Sequence, residues 1–303
     1  MYEGGNMKKT SAYFAATTAA VLLWSASFIA TKIAYGIFEP MMVGFIRFLI
    51  AAIILGIVRL FCKENNRPVG KDMRTVAISG LLGITLYFAA ENAGVQLTTA
   101  SNASLIVASY PAITALFEFL IFRIKPTVRK LSGIMLAFVG VGIITAMQGG
   151  MNHPETLYGN IILIAAGVIW AFYNFTARSV AEKYSSLTIS YYQMLFGTIF
   201  FIPLVLAECG QIQSITLSGV LAMIYLSCGC SVAAFLLYNF GLRKLSAATS
   251  ISLMNLVPVF GLIFSALLLH ESISVRQIIG GIIVITGVIL STDYKKRHTE
   301  RMS

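Results

Sequence analysis

The stretch LYFAAENAGVQ, residues 86–96, holds a carboxylate, Glu91, among apolar residues with no basic neighbour in sequence. Tyr87 precedes it by four residues, so on a helix the phenol and the carboxylate share one face. Three uses are open to such an acid. It can bind an amine or guanidine on a substrate, it can take up and release a proton, or it can pair with Arg47 or Lys32 as a structural ion pair. Aromatic and amide side chains recur at helical spacing elsewhere. Trp24, Ser27, Phe28 and Thr31 form one stripe, and Trp170, Tyr173, Asn174 and Ala177 form a second. Ser101, Asn102 and Ser104 cluster before Pro111, and Thr249, Ser250 and Asn255 cluster before Pro258. An amide in hydrocarbon costs several kcal/mol when unpaired, roughly 2–7 by transfer scales, so Asn92, Asn102, Asn174 and Asn255 join the candidate binding residues.

Such residues need an interior to face, and the composition says what kind. The 303 residues are 57% hydrophobic and 11% charged, with a mean hydropathy of +0.83. A soluble domain carries about 25% charged residues. Apolar runs of about 18–23 residues recur from Tyr13 to Ser291, the length that crosses a hydrocarbon core of about 30 Å. We therefore expect an all-α polytopic membrane protein. The expected spans are 13–34, 41–60, 75–95, 99–121, 129–147, 158–178, 188–207, 217–240, 245–268 and 275–293. The basic start of MKKTSAYFAATTAAVLLWSASFIA lacks a cleavage pattern and reads as the entry to the first span. Residues before Met7 read as a tail or an alternative start.

Ten spans put both termini on one side. Nineteen of the 22 Lys and Arg residues then fall on that side, including Lys8, Lys9, Arg59, Lys63, Arg67, Lys71 and Arg74. Only Lys32, Arg47 and Arg276 lie elsewhere, and opposite loops such as GVQLTTAS carry none. By the positive-inside rule both termini are cytoplasmic, in the cell (inner or plasma) membrane. The net charge of +10 thus marks topology rather than nucleic-acid binding.

The chain is also written twice. AAVLLWSASFIATKIAYGIFEP (19–40) aligns with AAGVIWAFYNFTARSVAEKYSS (165–186), setting Trp24 on Trp170. NAGVQLTTASNASLIVASYP (92–111) aligns with NFGLRKLSAATSISLMNLVP (239–258), setting Asn92 on Asn239 and Pro111 on Pro258. Gly133 and Gly140 fall on Gly280 and Gly287, and Glu91 on Tyr238. Five spans per copy is an odd number, so the second copy enters the membrane inverted, an arrangement common to secondary transporters. The expected organisation is a cytoplasmic tail (1–12), a first five-helix repeat (13–147), an external linker (148–157), a second, inverted repeat (158–293) and a basic cytoplasmic tail (294–303). Pro111 and Pro258 each remove one helical hydrogen bond, freeing the carbonyls of Val107 and Met254 inside a span. Lipid cannot satisfy them, so matched prolines point to a site at mid-membrane. We assign the prolines, with Arg47 and Lys32, structural or gating roles.

These landmarks resemble the drug/metabolite transporter superfamily, specifically its EamA-type members. The matching stretches are LLWSASFIATK, GFIRFLIAA, TTASNASLIVASYPAITAL and LSAATSISLMNLVPVFGLIFSALLLHESIS, over residues 13–292. The resemblance implies ten helices in two inverted halves moving small organic solutes, often outward. It also implies a cavity lined by spans 1, 3, 4, 6, 8 and 9, with 5 and 10 peripheral. Two departures stand out. The first half has FRIKPTVRK where the family often carries an acid, kept here only as Glu271, and Arg47 has Gln193 as its counterpart.

No H-E-x-x-H, P-loop or G-x-S-x-G pattern is present, and His153, His270 and His298 lie in loops, at span ends or in the tail. Cys62, Cys209, Cys228 and Cys230 lack metal-ligand spacing. We expect no enzyme chemistry, no cofactor and no metal. The expected activity is secondary transport of an amino acid or related amine, by alternating access and with export as the direction; proton coupling through Glu91 stays open. The candidate substrate-binding set is Glu91, Tyr87, Trp24, Ser27, Phe28, Asn92, Asn102, Trp170, Tyr173, Asn174, Tyr238 and Asn255. A multidrug or nucleoside-like exporter is the alternative, then a lipid-handling flippase. The partners are a small solute and the bilayer, with the chain a monomer or homodimer. Glu118 is expected to reach Arg123.

Overall fold

The protein is described by a computed structural model covering residues 3–64, 66–123, 127–146, 154–181, 183–208, 215–242 and 256–291. Among these residues it is helical throughout, with no strand. The helices of the described residues group into ten successive rods, five from each half. They are α1 (Glu3–Ser25, continuing as Ser27–Ala34), α2 (Pro40–Phe61), α3 (Lys71–Leu97), α4 (Ala100–Val107, continuing as Tyr110–Phe122) and α5 (Val128–Ala146). The second half has α6 (Pro154–Ala181), α7 (Ser186–Glu208), α8 (Leu217–Ile224, on to Ala234–Leu242), α9 (Leu256–Leu268) and α10 (Val275–Ser291). Seven stretches among the described residues are long and apolar enough to cross a membrane, and α9 and α10 are shorter apolar helices.

The halves interlock by a pseudo-twofold rule. Helix α1 packs on α8 and its counterpart α6 packs on α3, while α2 packs on α7, α4 on α9 and α5 on α10. In the last three pairs, counterpart meets counterpart, and each runs antiparallel. Gly133 faces Gly287 and Gly140 faces Gly280; a Cβ on Gly140 would stand 2.8 Å from the Gly280 carbonyl, and one on Gly287 2.7 Å from that of Gly133. Residue numbers rise on one helix as they fall on the other. The same reversal appears where Gly44 meets Phe201 and Gly56 meets Tyr191 (α2 on α7), and where Ser101 meets Ser265 and Ser104 meets Gly261 (α4 on α9). Equivalent helices that run in opposite directions make the second half inverted relative to the first. Small residues permit this close approach, as in membrane helix pairs generally.

Four backbone irregularities lie within the rods. Helix α1 breaks at Ala26 and α4 at Ala108–Ser109. Helix α3 widens into a π-helix at Leu81–Leu86, and α8 does so at Tyr225–Ala233. At the repeat offset of 147 the first π segment maps into the second, so the widening belongs to the repeated unit. Here the structure corrects the simple picture of a proline removing a mid-helix bond. Pro111 lies in the first turn of the helix that restarts at Tyr110, where a missing N–H costs little. Pro258 lies on α9, and Met254, with residues 245–255 of the expected span, falls outside the described residues.

One further expectation changes, that for Glu118, and two features lie beside it. The first helix begins at Glu3, so the backbone of the expected 1–12 tail is helical from there. Glu118 pairs with Lys130 at 2.9 Å instead of reaching Arg123, because Arg123 leaves the helix in a left-handed conformation. Asp72 bonds Lys183 at 2.9 Å and Tyr184 at 3.0 Å, tying the start of α3 to the α6–α7 connection. That hydrogen bond pushes the exposed Lys183 ammonium above its ordinary value.

The antiparallel seam of α5 and α10 yields a paired expectation. Gly140→Ala should lower stability by roughly 1–3 kcal/mol through overpacking. Gly142→Ala, with open space around its Cβ, should be neutral or stabilise slightly. Thermal unfolding of both variants in one detergent checks it, and equal melting points would contradict the close seam.

Candidate functional site

Glu91 lies on α3 one turn beyond the π segment and is only 6% exposed. Tyr87, one turn before it, donates its hydroxyl to Glu91 Oε2, the pairing that helical spacing predicts. Among the described residues no Lys, Arg or His stands within ion-pair distance of this carboxylate. Arg47 is 3% exposed and engaged otherwise. Its Nε donates to Ser231 Oγ at 2.7 Å, and its guanidinium lies over the Phe88 ring at 4.7 Å and the Phe48 ring at 5.2 Å. It acts on Glu91 across space rather than by contact. Lys32 reaches the Gln96 carbonyl at 3.4 Å. The structural ion pair is therefore not formed with either cation.

Aromatic rings wall the acid. Tyr87 packs on Trp170 at 4.8 Å, on Phe88 at 4.7 Å and edge-on to Tyr110 at 6.1 Å, and Trp170 packs on Tyr173 at 4.9 Å. Gly83, in the π segment, leaves the space that the Tyr173 ring occupies. A second layer comes from the other seam. Trp24 packs on Tyr238 at 5.2 Å and Phe235 at 5.4 Å, and its indole N–H donates to the Cys230 carbonyl at 3.1 Å. So each repeat's tryptophan seats against the π-containing helix of the opposite half.

The remaining candidates separate. Phe28 is buried in the same core cluster as Tyr87, while Ser27 turns back to the Trp24 carbonyl and Asn174 to that of Trp170. Asn92 faces away from the acid and donates to the Pro40 carbonyl at 2.9 Å; its Oδ1 is buried without a hydrogen bond. Asn102 is not brought to the cluster. Its Nδ2 donates to Thr98 Oγ1 and its Oδ1 accepts from Gln277 Nε2 on α10, so it fixes the start of α4. Asn255, with Thr249 and Ser250, lies outside the described residues.

Sequence reasoning passed over several groups. Tyr110, whose hydroxyl donates to the Leu163 carbonyl, and Tyr35, whose hydroxyl donates to the Asn92 carbonyl, both stand near Glu91. Tyr110 could have been found as the residue before Pro111. Two carboxylates of the second half cap helices of the first. Glu271 accepts from the N–H groups of Ala100 and Ser101 at 2.9 and 3.1 Å, and Glu208 from those of Met41 and Met42 at 3.0 and 3.2 Å. The first N–H groups of a helix lack intrahelical partners, and the helix dipole favours an anion there.

Taken together, two inverted halves enclosing a buried acid and paired tryptophan layers define a multi-pass membrane protein with an interior polar site. The chain belongs to the EamA-like transporter family, whose pattern matches twice, at residues 10–146 and 157–292. It is 32% identical over 282 residues to a protein of Archaeoglobus fulgidus named an uncharacterized transporter, covering 92% of this chain and 96% of that one. It is 28% identical to the uncharacterized transporter YetK of Bacillus subtilis, over 96% of this chain and 90% of YetK. A protein of Streptantibioticus cattleyicolor, named a probable terminal-alkyne amino-acid exporter, is 25% identical over 89% and 90% of the two chains. One crystal structure shares the fold, with a TM-score of 0.67 at 19% identity, covering 93% of this chain and 96% of that one.

The Glu271 cap generates an expectation. Glu271→Ala should cost roughly 2 kcal/mol, since charge-assisted bonds to a helix start are lost, and Glu271→Gln should recover part of it. Denaturant unfolding in detergent measures both; an unchanged midpoint for Glu271→Ala would show the cap to be energetically idle.

Proposed function

We propose that this chain is a secondary transporter that exports an amino acid or related amine or zwitterion by alternating access, with Glu91 coupling that movement to protons. The observation that carries the reading is Glu91 itself, buried, bonded by Tyr87 and, among the described residues, without a cation at ion-pair distance. A carboxylate withdrawn from water needs a proton or a cation. A substrate ammonium and a proton are alternative ways of meeting that need, so binding one releases the other. The Tyr87 ring bonded to it and the Trp170 ring packed on Tyr87 suit an apolar flank and the face of a cation. The inverted halves supply the two related conformations that alternating access exchanges. Membership of a transporter family supports transport over catalysis, and the name of the Streptantibioticus relative supports an amino-acid-like solute. The distribution of Lys and Arg supports a plasma-membrane orientation with both termini in the cytoplasm. The boundaries 13–147 and 158–293 serve as the two moving halves. The double aromatic layer also favours a second reading, an exporter of cationic aromatic or nucleoside-like solutes.

A thermal-shift screen of the purified protein against amino acids, amines and nucleosides separates the two readings. Flux in liposomes, with and without a pH gradient, then tests coupling. Glu91→Gln should reduce gradient-driven flux at least about tenfold, a loss of roughly 1.4 kcal/mol in transport competence, with folded protein still in the membrane. Tyr87→Phe should keep transport but displace its pH profile, since it removes the hydroxyl on the carboxylate. Wild-type flux with an unchanged pH profile in Glu91→Gln would return the acid to a structural role.

A further inference from the structure

A groove runs along the surface where α2 meets α7. It encloses about 420 Å³ and is lined by apolar side chains, among them Leu49, Ile57, Leu195 and Ile199, over a floor of small residues, Ala52 and Gly56. Its wall extends along α2 from Phe45 to Leu60, a rise of about 22 Å, more than one leaflet's share of a core of about 30 Å. At positions 52, 56 and 59 one helical face carries the floor to Arg59, and Lys63 follows in the turn after the helix.

Arg59 is held but underused. Its guanidinium lies over the Tyr192 ring at 5.0 Å and the Tyr191 ring at 5.5 Å, and Tyr191 is also a wall of the groove. Nη1 donates to Tyr192 Oη and Nη2 to the Asn66 carbonyl, both at 3.3 Å, and Nε is buried with no hydrogen bond. Such an orphaned donor is costly, and a guanidinium fork matches phosphate oxygens. The connection after α2 adds Lys63, Arg67 and, at the start of α3, Lys71 and Arg74, against Glu64 and the Asp72 already bound by Lys183.

We propose that this groove is a site for an anionic phospholipid, its acyl chain along α2 and α7 and its phosphate on Arg59. The groove opens to hydrocarbon, where lipid is the solvent, and the basic end supplies headgroup selection. This reading does not rest on the proposed transport site, since neither Glu91 nor any other candidate binding residue lines the groove.

Native mass spectrometry in mixed micelles tests it, comparing phosphatidylglycerol with phosphatidylcholine. The wild type should retain phosphatidylglycerol about fivefold better, the order expected for one basic residue near a headgroup. Arg59→Gln should abolish that preference. Ile199→Trp, at a lipid-facing position, should weaken both lipids while keeping the preference. No preference in the wild type, an unchanged preference in Arg59→Gln, or equal stabilisation by inorganic phosphate without a tail would overturn the site. So would a dimer that buries the groove. Should Arg59→Gln fail to fold, the wild type and Ile199→Trp still decide.

Discussion

Hydrocarbon offers no hydrogen bond, and that constraint organises this molecule. Regular helix satisfies its own backbone, so any departure from it inside the membrane has to be answered by protein. Three of the four departures described here are answered in this way. Where α1 breaks at Ala26, the Leu23 carbonyl accepts from Tyr225 Oη at 2.7 Å and Cys230 Sγ at 3.4 Å. The α8 π segment supplies both donors, and in return its Cys230 carbonyl accepts from Trp24 Nε1. Ser231 Oγ bonds the Leu226 carbonyl five residues back, inside that π segment. In α4, Ser109 Oγ donates to the Ile106 carbonyl; the α3 π segment is instead tied to its neighbour, Thr85 Oγ1 donating to the Gly197 carbonyl of α7. The irregular backbone is thus confined to seams between the halves. The same seams carry Glu91, Tyr87 and both tryptophans.

The ends of the rods follow a different rule. There the second half reaches across to the first with full charges, Glu271 onto α4 and Glu208 onto α2, while Asp72 of the first half holds Lys183 of the second. Such bonds fix where one half sits on the other. Rocking of the halves, as the transport proposal requires, would have to break one set or the other, whereas the ring contacts at the π segments could slide. Stiffness at the ends and compliance in the middle both come from what each place offers the backbone.

Much of this was legible in the sequence, for reasons of spacing. Landmarks such as Trp24 with Trp170, and Gly133 with Gly280, revealed a duplicated unit, because each is fixed by packing that both copies share. The Tyr87–Glu91 bond followed from a four-residue interval. The π segments were hidden, since one extra residue per turn over 81–86 leaves the apolar pattern intact. Partners across loops were hidden as well. Glu118 chooses Lys130 over Arg123, and Asn102 chooses Gln277, by chain geometry beyond any helical period. Arg47 was read as architecture, and its bond to Ser231 fits that reading, yet the serine itself carried no signal.

A symmetric scaffold here carries asymmetric chemistry. Glu91 has Tyr238 as its counterpart, Tyr87 has Ala234, and Arg47 has Gln193. Arg47 and Gln193 nevertheless do one job, each bonding a serine on the π-containing helix of the opposite half, Ser231 and Ser79. The backbone role is therefore preserved on both sides while charge is kept on one. In the alternating access proposed above, a pseudo-twofold lets two shapes of nearly equal energy exist, because swapping the conformations of the halves regenerates the same contacts. On that proposal Glu91, the one buried acid among the described residues, breaks the tie. Its surroundings would differ between the two shapes, so whatever neutralises it, proton or cation, would select between them. Had Tyr238 been a second acid, the two shapes would have answered a proton alike, and protonation would have lost its power to favour either.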